Sequence, residues 1–361
     1  MGPERKYVSL DDEDTFRLAK DDPAHFFEIY PPPVLIDEVQ RVPSLFMRIK
    51  KIVDESDARG QIWLTGSHVF HLMRNVSESL AGRVAVLNLQ GFSQAEKNED
   101  QDRPPFLPNI PLKVKRPILH KQEIFATIVK GSYPQLFDGS DWEMFYSSYI
   151  SSYLHRDIYD VLRVSDLSVF HKFLKIMASR TGQILNYADI GRDVEITAPT
   201  ARSWTSILET CGLIYLLHPY SRNLGQRAKR RPKFYFMDTG LCCYLNGLTN
   251  AQMALASPIS GALFETYVVS EILKSYFHHG KVPQVYFYFD TYARAEIDLL
   301  IEQEGKIWPV EVKLSSTPQP RMAKNFELLA PAQRGKGAII CTADKFIPLN
   351  PRVMIIPASY I

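Results

Sequence analysis

Apolar and polar positions along this chain change period several times, and those changes outline its elements. Short apolar runs in PPPVLIDEVQ, QIWLTGS and RVAVLNL are separated by stretches such as LFMRIKKIVDES, whose apolar residues recur every three or four positions. Strand-like runs alternating with helix-like ones predict a βαβ arrangement around a parallel sheet. Residues 93–117 lose all periodicity and mix charge with five prolines, which predicts an exposed connection. Helical spacing returns in VFHKFLKIMASRTGQILN, where Val169, Phe170, Phe173, Leu174, Ile176 and Met177 are the apolar positions. YADIGRDVEI is a shorter amphipathic piece, and Thr197 or Thr200 can cap the helix in TARSWTSILETCGLIYLL. Three helices, then IYLL, a basic loop and KFYFMD, form the pattern of a winged helix-turn-helix. From Ala251 onward the order reads helix (261–277), strands VYFYFD, EIDLLIE and IWPVEVKL, helix PRMAKNFELLA, then strands KGAIICTA and RVMIIPAS.

Composition narrows the class. With 361 residues, 45% apolar and 23% charged, the chain is expected to hold two or three domains with substantial cores. The net charge of +2 conceals an asymmetry of −5 over residues 1–103 against +7 for the remainder, so a polyanionic partner would meet the later two-thirds. Four cysteines, Cys211, Cys242, Cys243 and Cys341, lack any CxxC pairing and read as buried thiols of a reducing cytoplasm. No apolar run approaches the roughly 20 residues of a membrane span, and MGPERKYVSLDDED does not read as a signal peptide.

Candidate chemistry concentrates in RAEIDLLIEQEGKIWPVEVKLS. Asp298 lies in one apolar segment, a polar turn follows, and Glu311 and Lys313 sit two apart in the next. On a strand, residues two apart share a face. Asp298 and Glu311 facing one pocket would hold Mg²⁺ through oxygen ligands. Lys313 beside them would orient or deprotonate an attacking water, and Glu265 in GALFETYVVSEIL would add a third carboxylate. This D…ExK spacing is the one used by metal-dependent nucleases. It fits equally a plain β-hairpin with solvated ion pairs, but the order of helix Glu, strand Asp, strand ExK favours the site. Near the start, Asp37 and Glu38 end an apolar run, where parallel sheets place ligands. There an Asp can hold the Mg²⁺ of a nucleotide and the Glu can polarise a water, although an acid pair at a helix N-terminus reads the same way. Ser67 would sense a γ-phosphate and Arg83 would serve a neighbouring subunit as an arginine finger. The loop SRNLGQRAKRRPK carries Arg222, Arg227, Lys229, Arg230, Arg231 and Lys233 without an acid. As a wing it would lie along phosphates, with Arg202, Ser203 and Ser206 of the preceding helix turned to a groove; a solvated hairpin tip or an interdomain contact are the alternatives.

The blocks KYVSLDDEDTFRLAKDDPAHFF, PPPVLIDEVQRVP, IWLTGSH and SLAGRVAVLNLQGFS, with GSYPQLF and SSYLHRDIYDV further on, resemble a prokaryotic AAA+-type ATPase family. That family carries a C-terminal domain resembling PD-(D/E)xK nucleases, to which AEIDLL and WPVEVKLS are similar. The resemblance implies Walker B roles for Asp37 and Glu38, a sensor role for Ser67, an arginine-finger role for Arg83, and Glu265, Asp298, Glu311 and Lys313 as a nuclease-like site. It implies ATP as the family's nucleotide, and assembly as a homo-oligomer or with an intact ATPase. No G-x-x-x-x-G-K-[ST] occurs here, because Gly280–Lys281, Gly305–Lys306 and Gly335–Lys336 all lack the upstream Gly and following Ser/Thr. A P-loop supplies most of the attraction for nucleotide phosphates, so ATP hydrolysis by this chain alone is not expected. The family's first strand would lie between QIWLTGS and RVAVLNL, so a disrupted sheet is expected as well. The expected organisation is α/β multidomain: a truncated AAA+ segment (1–92), a linker (93–117), a helical winged-helix-like domain (118–250) and a restriction-endonuclease-like α/β domain (251–361).

Overall fold

The computed structural model describes residues 5–66, 79–109, 117–154, 167–221, 230–290 and 295–361. They fall into two compact units, residues 1–86 and 87–361.

The first unit is built on a parallel sheet. Strand β1 (Lys6–Ser9) leads to helix α1 (Glu13–Asp21), whose N-cap Asp12 accepts the Thr15 N–H at 2.9 Å. Helix α2 (Pro23–Ile29) starts directly after it, with Asp22 as cap and Pro23 in the first turn, where its missing N–H costs nothing. Strand β2 (Val34–Asp37), helix α3 (Ser44–Asp54) and strand β3 (Ile62–Leu64) complete the βαβ alternation. The strand order is β1-β2-β3, all parallel. Val8, Phe26, Ile36, Leu45 and Phe46 form its core. RVAVLNL does not form the expected strand. Residues 84–90 carry no ladder, and Leu89 is 98% exposed. Apolar alternation makes a strand only where a neighbouring edge supplies backbone partners.

The second unit begins with a segment that the sequence placed in solvent. Helix α4 (Gln94–Lys97) opens with a capping box between Ser93 and Glu96. Helices α5 (Lys121–Lys130), α6 (Trp142–Ser148), α7 (Leu167–Ser179), α8 (Tyr187–Val194) and α9 (Ala198–Thr210) follow. Strands β4 (Ile214–Leu217) and β5 (Lys233–Phe236) then pair antiparallel. Helices α10 (Thr239–Leu245), α11 (Ala251–Ala256) and α12 (Ser260–Phe277) lead to strands β6 (Val285–Asp290), β7 (Ala295–Gln303), β8 (Lys306–Lys313), β9 (Gly337–Cys341), β10 (Ile347–Asn350) and β11 (Val353–Pro357). These six strands make a mixed sheet in the order β10-β11-β9-β8-β7-β6. β6, β7 and β8 form an antiparallel meander, and β8, β9 and β11 run parallel. PRMAKNFELLA is a 3-10 segment over Pro320–Leu328 rather than an α-helix, and β10 is a strand the sequence reading did not anticipate.

One apolar cluster joins the helical part of the second unit to its sheet, from Phe106 and Phe125 through Phe173, Phe236 and Val268 to Tyr360, and a second, around Ile297, Phe326, Ile339 and Ile355, belongs to the sheet. The expected division at residues 250/251 is therefore not a boundary of packing. β4 also continues into the edge of β6: the Tyr220 N–H donates to Phe287 O at 2.6 Å and the Phe287 N–H to His218 O at 3.1 Å. The proline-rich stretch is a packed strap over residues 93–109. The Gln94 N–H donates to Glu271 Oε2 at 2.7 Å, Lys274 Nζ to Phe92 O at 3.3 Å, and Lys274 pairs with Glu271 at 3.0 Å. Further along, the Phe106 N–H donates to Ser275 Oγ at 3.0 Å and Tyr276 OH to Phe106 O at 2.9 Å. The strap follows α12 because that helix offers polar groups at positions 271, 274, 275 and 276, of which Glu271, Lys274 and Tyr276 are buried.

Replacing Glu271 by Ala leaves Lys274 buried without its counter-ion and the Gln94 N–H without an acceptor. A loss of about 3–5 kcal/mol is expected in denaturant unfolding. An unchanged midpoint would show that the strap is held without this pair.

Candidate metal centre on the C-terminal sheet

The β7–β8 ladder runs from Gln303↔Lys306 to Leu299↔Val310 and goes no further. Where it stops, a side chain takes over from the backbone. Asp298 Oδ2 accepts the Val312 N–H at 2.8 Å, and the same oxygen lies 3.2 Å from Lys313 Nζ. Lys313 Nζ also lies 2.7 Å from Glu311 Oε1. One ammonium thus bridges two carboxylates from adjacent strands. Asp298 and Glu311 are buried, while the Lys313 side chain is 37% exposed and forms the way to solvent. Glu311 Oε2 is buried without a hydrogen-bond partner.

Electrostatics divide the work among these groups. Burial works against the Lys313 ammonium, yet the charges of Asp298 and Glu311 outweigh it and raise its pKa. Burial, and then the charge of Asp298, push the Glu311 carboxyl up to about 8 against the pull of Lys313. Two acids around one lysine are neutralised when one acid keeps a proton, and Glu311 is that acid near neutral pH.

Glu265, on α12, is engaged elsewhere. Its Oε1 accepts the Tyr235 hydroxyl at 2.6 Å and lies 3.3 Å from Lys233 Nζ. Lys233 also pairs with Glu296 on β7. Burial and then Asp298 raise the Glu265 pKa, with Lys233 and Tyr235 opposing. Lys233, which the charge run places in the phosphate-binding loop, instead points inward to Glu265 and Glu296. Its side chain is 8% exposed, because alternation along KFYF turns positions 233 and 235 toward α12. Arg230 and Arg231 are exposed as expected, and Arg222, Arg227 and Lys229 lie outside the described residues. Arg202, Ser203 and Ser206 form an exposed stripe on α9. Glu296 and Tyr235 were missed, although Glu296 stands two positions before Asp298 in AEIDLL.

Asp298 and Glu311 are the residues that could hold a Mg²⁺ ion. Mg²⁺ binds through one or two carboxylates and keeps several waters, and this pair offers an orphaned buried oxygen. Among the described residues no group of three His, Cys, Asp or Glu side chains is placed to hold a metal ion.

In the first unit Asp37 ends β2 and accepts the Tyr7 hydroxyl at 2.8 Å and the Thr65 hydroxyl. The Thr65 bond holds its carboxyl below the ordinary range, with burial opposing and the Tyr7 bond adding to it. Glu38 takes a left-handed backbone (φ 55°) and contacts Gln40. Arg83 pairs with Asp54 of α3 within the same unit. Ser67 lies outside the described residues.

A family model described as an AAA domain matches residues 3–98, and two described as domains of unknown function, DUF8612 and DUF4143, match residues 121–252 and 260–361. Two curated relatives, uncharacterized proteins Mb2031c of Mycobacterium bovis and Rv2008c of Mycobacterium tuberculosis, are each 26% identical over 335 residues, covering 91% of this chain and 69% of the relative. The N-terminal and C-terminal matches together support an AAA-type ATPase-like family. Among the described residues no helix is long and apolar enough to cross a membrane.

The raised Glu311 pKa has a signed consequence. A carboxyl whose folded pKa exceeds its unfolded value contributes stability below the unfolded pKa and loses it as pH rises through the folded one. In chelator-containing buffer, the melting temperature of Glu311→Gln should gain steadily on the parent as pH rises from about 5 toward about 8, and the difference should level off above that. A difference independent of pH would contradict the assignment of the proton to Glu311.

Proposed function

We propose that the chain is an ATPase-like protein of AAA type whose C-terminal sheet carries a Mg²⁺-dependent phosphodiester-cleaving site, with nucleic acid as substrate. The observation that carries the reading is the Asp298–Lys313–Glu311 bridge with its unsatisfied Glu311 oxygen. Asp298 and Glu311 would hold the ion. When bound there, it supplies charge neutralisation and polarisation of a phosphate oxygen. Lys313, kept protonated by its acids, donates hydrogen bonds to the substrate phosphate and is no proton acceptor. We further read α7, α8, α9 and the β4–β5 hairpin as a winged helix and the six-stranded sheet with α12 as a restriction-endonuclease-like core. Arg230 and Arg231 at the hairpin give phosphates a docking surface. Asp37 and Glu38 take the Walker B positions in this reading, Ser67 the sensor position and Arg83 a finger toward a neighbouring copy or an intact ATPase. The protein would act in the cytoplasm.

A second reading is favoured by the absence, among the described residues, of a third ligating side chain beside Asp298 and Glu311. In it the chain binds nucleic acid through the hairpin and the carboxylate bridge is structural.

Cleavage of supercoiled and linear DNA with Mg²⁺ or Mn²⁺ separates the two. The first reading predicts metal-dependent nicking that falls by roughly 100-fold or more in Asp298→Ala, as loss of an electrostatic catalytic group does. Salt-sensitive binding without cleavage, by parent and variant alike, would establish the second.

A further inference from the structure

All four carboxylates near the site already have an ammonium: Lys313 bridges Asp298 and Glu311, and Lys233 serves the other two. Lys233 lies 3.3 Å from Glu265 Oε1 and pairs with Glu296, and Tyr235 holds the same Glu265 oxygen at 2.6 Å. The Lys233 side chain is 8% exposed against 37% for Lys313, although Glu296 beside it is itself 37% exposed. Glu296 and Asp298 sit two apart on β7 and share a face, which sets the Lys233 pair beside the Asp298–Lys313 pair. A divalent cation approaching Glu265 or Glu296 would meet a buried ammonium that cannot leave without stranding two acids.

We propose that Lys233 takes the place of a second divalent cation, so that the centre binds a single ion on Asp298 and Glu311. Glu265 and Glu296 are then counter-ions of Lys233 and not metal ligands. The proposal rests on the reading of the Asp298–Glu311 pair given above and specifies its metal stoichiometry. It also makes β5 a wall of the centre: the strand that follows the basic loop holds the two acids on the Lys233 side, leaving the pair beside the more exposed Lys313 for metal.

Mn²⁺ titration calorimetry on the full chain tests this, with Asp298→Asn, Glu311→Gln, Glu265→Gln and Lys233→Met beside the parent. The parent should bind one Mn²⁺. Glu311→Gln and Asp298→Asn should each weaken binding by about tenfold or more, while Glu265→Gln should stay within about twofold of the parent, as expected when only the first two supply oxygen ligands. Lys233→Met, confirmed folded by circular dichroism, should take up a second Mn²⁺. A tenfold loss in Glu265→Gln overturns the proposal, as does a folded Lys233→Met that binds one Mn²⁺ with parental affinity. Should Lys233→Met fail to fold, Glu265→Gln decides alone, because the amide preserves the size of the side chain and its contact with Tyr235. A parent that binds no Mn²⁺ overturns the Asp298–Glu311 reading itself, and is distinct from a parent that binds normally while Glu265→Gln does not.

Discussion

Glu265, Glu296, Asp298 and Glu311 bring four acids to one region of the C-terminal sheet, mostly out of water. Ionised carboxylates in such surroundings cost several kcal/mol each unless paired. Two lysines meet the cost from different parts of the chain: Lys313 from β8 itself and Lys233 from β5 of the hairpin. Four acids against two lysines leave two charges over; the raised pKa of Glu311 absorbs one of them, and burial raises that of the Glu265 carboxyl as well. The rest of the unit follows from this requirement, since a hairpin that supplies a buried counter-ion has to be packed against α12 and the sheet.

That requirement accounts for the absence of a packing boundary between the helical middle and the sheet. β4 runs into the edge of β6 through Tyr220 and Phe287, β5 presents Lys233 and Tyr235 to Glu265, and the apolar cluster is continuous across both. α12 works on several sides. It offers Glu265 to the hairpin, and Glu271, Lys274, Ser275 and Tyr276 to the strap over residues 93–109. Anything that binds the basic loop therefore acts close to the acids, because Arg230 and Arg231 are two or three residues from Lys233.

The order of chemical groups was legible because it rests on period. Glu311 and Lys313 share a face by strand alternation, Asp298 precedes them by one turn, and the structure brings all three together. What was not legible depended on partners distant in sequence. Lys233 reads as the last member of a charge run, and only the apolar alternation of KFYF around it hints that it points inward. The strap reads as solvent-exposed because its anchors, Ser93 and Gln94, are polar, and polar residues reveal burial only once their acceptors on α12 are known. RVAVLNL errs the other way: its alternation is strand-like, but a strand is a property of two segments.

The account stands or falls on where a divalent cation sits. Anomalous diffraction from crystals soaked in Mn²⁺ would locate it directly. A single peak in contact with both Asp298 and Glu311, with Lys233 still seated between Glu265 and Glu296, is the predicted result. A peak coordinated by Glu265 or Glu296, or no peak at Asp298 and Glu311, would contradict it.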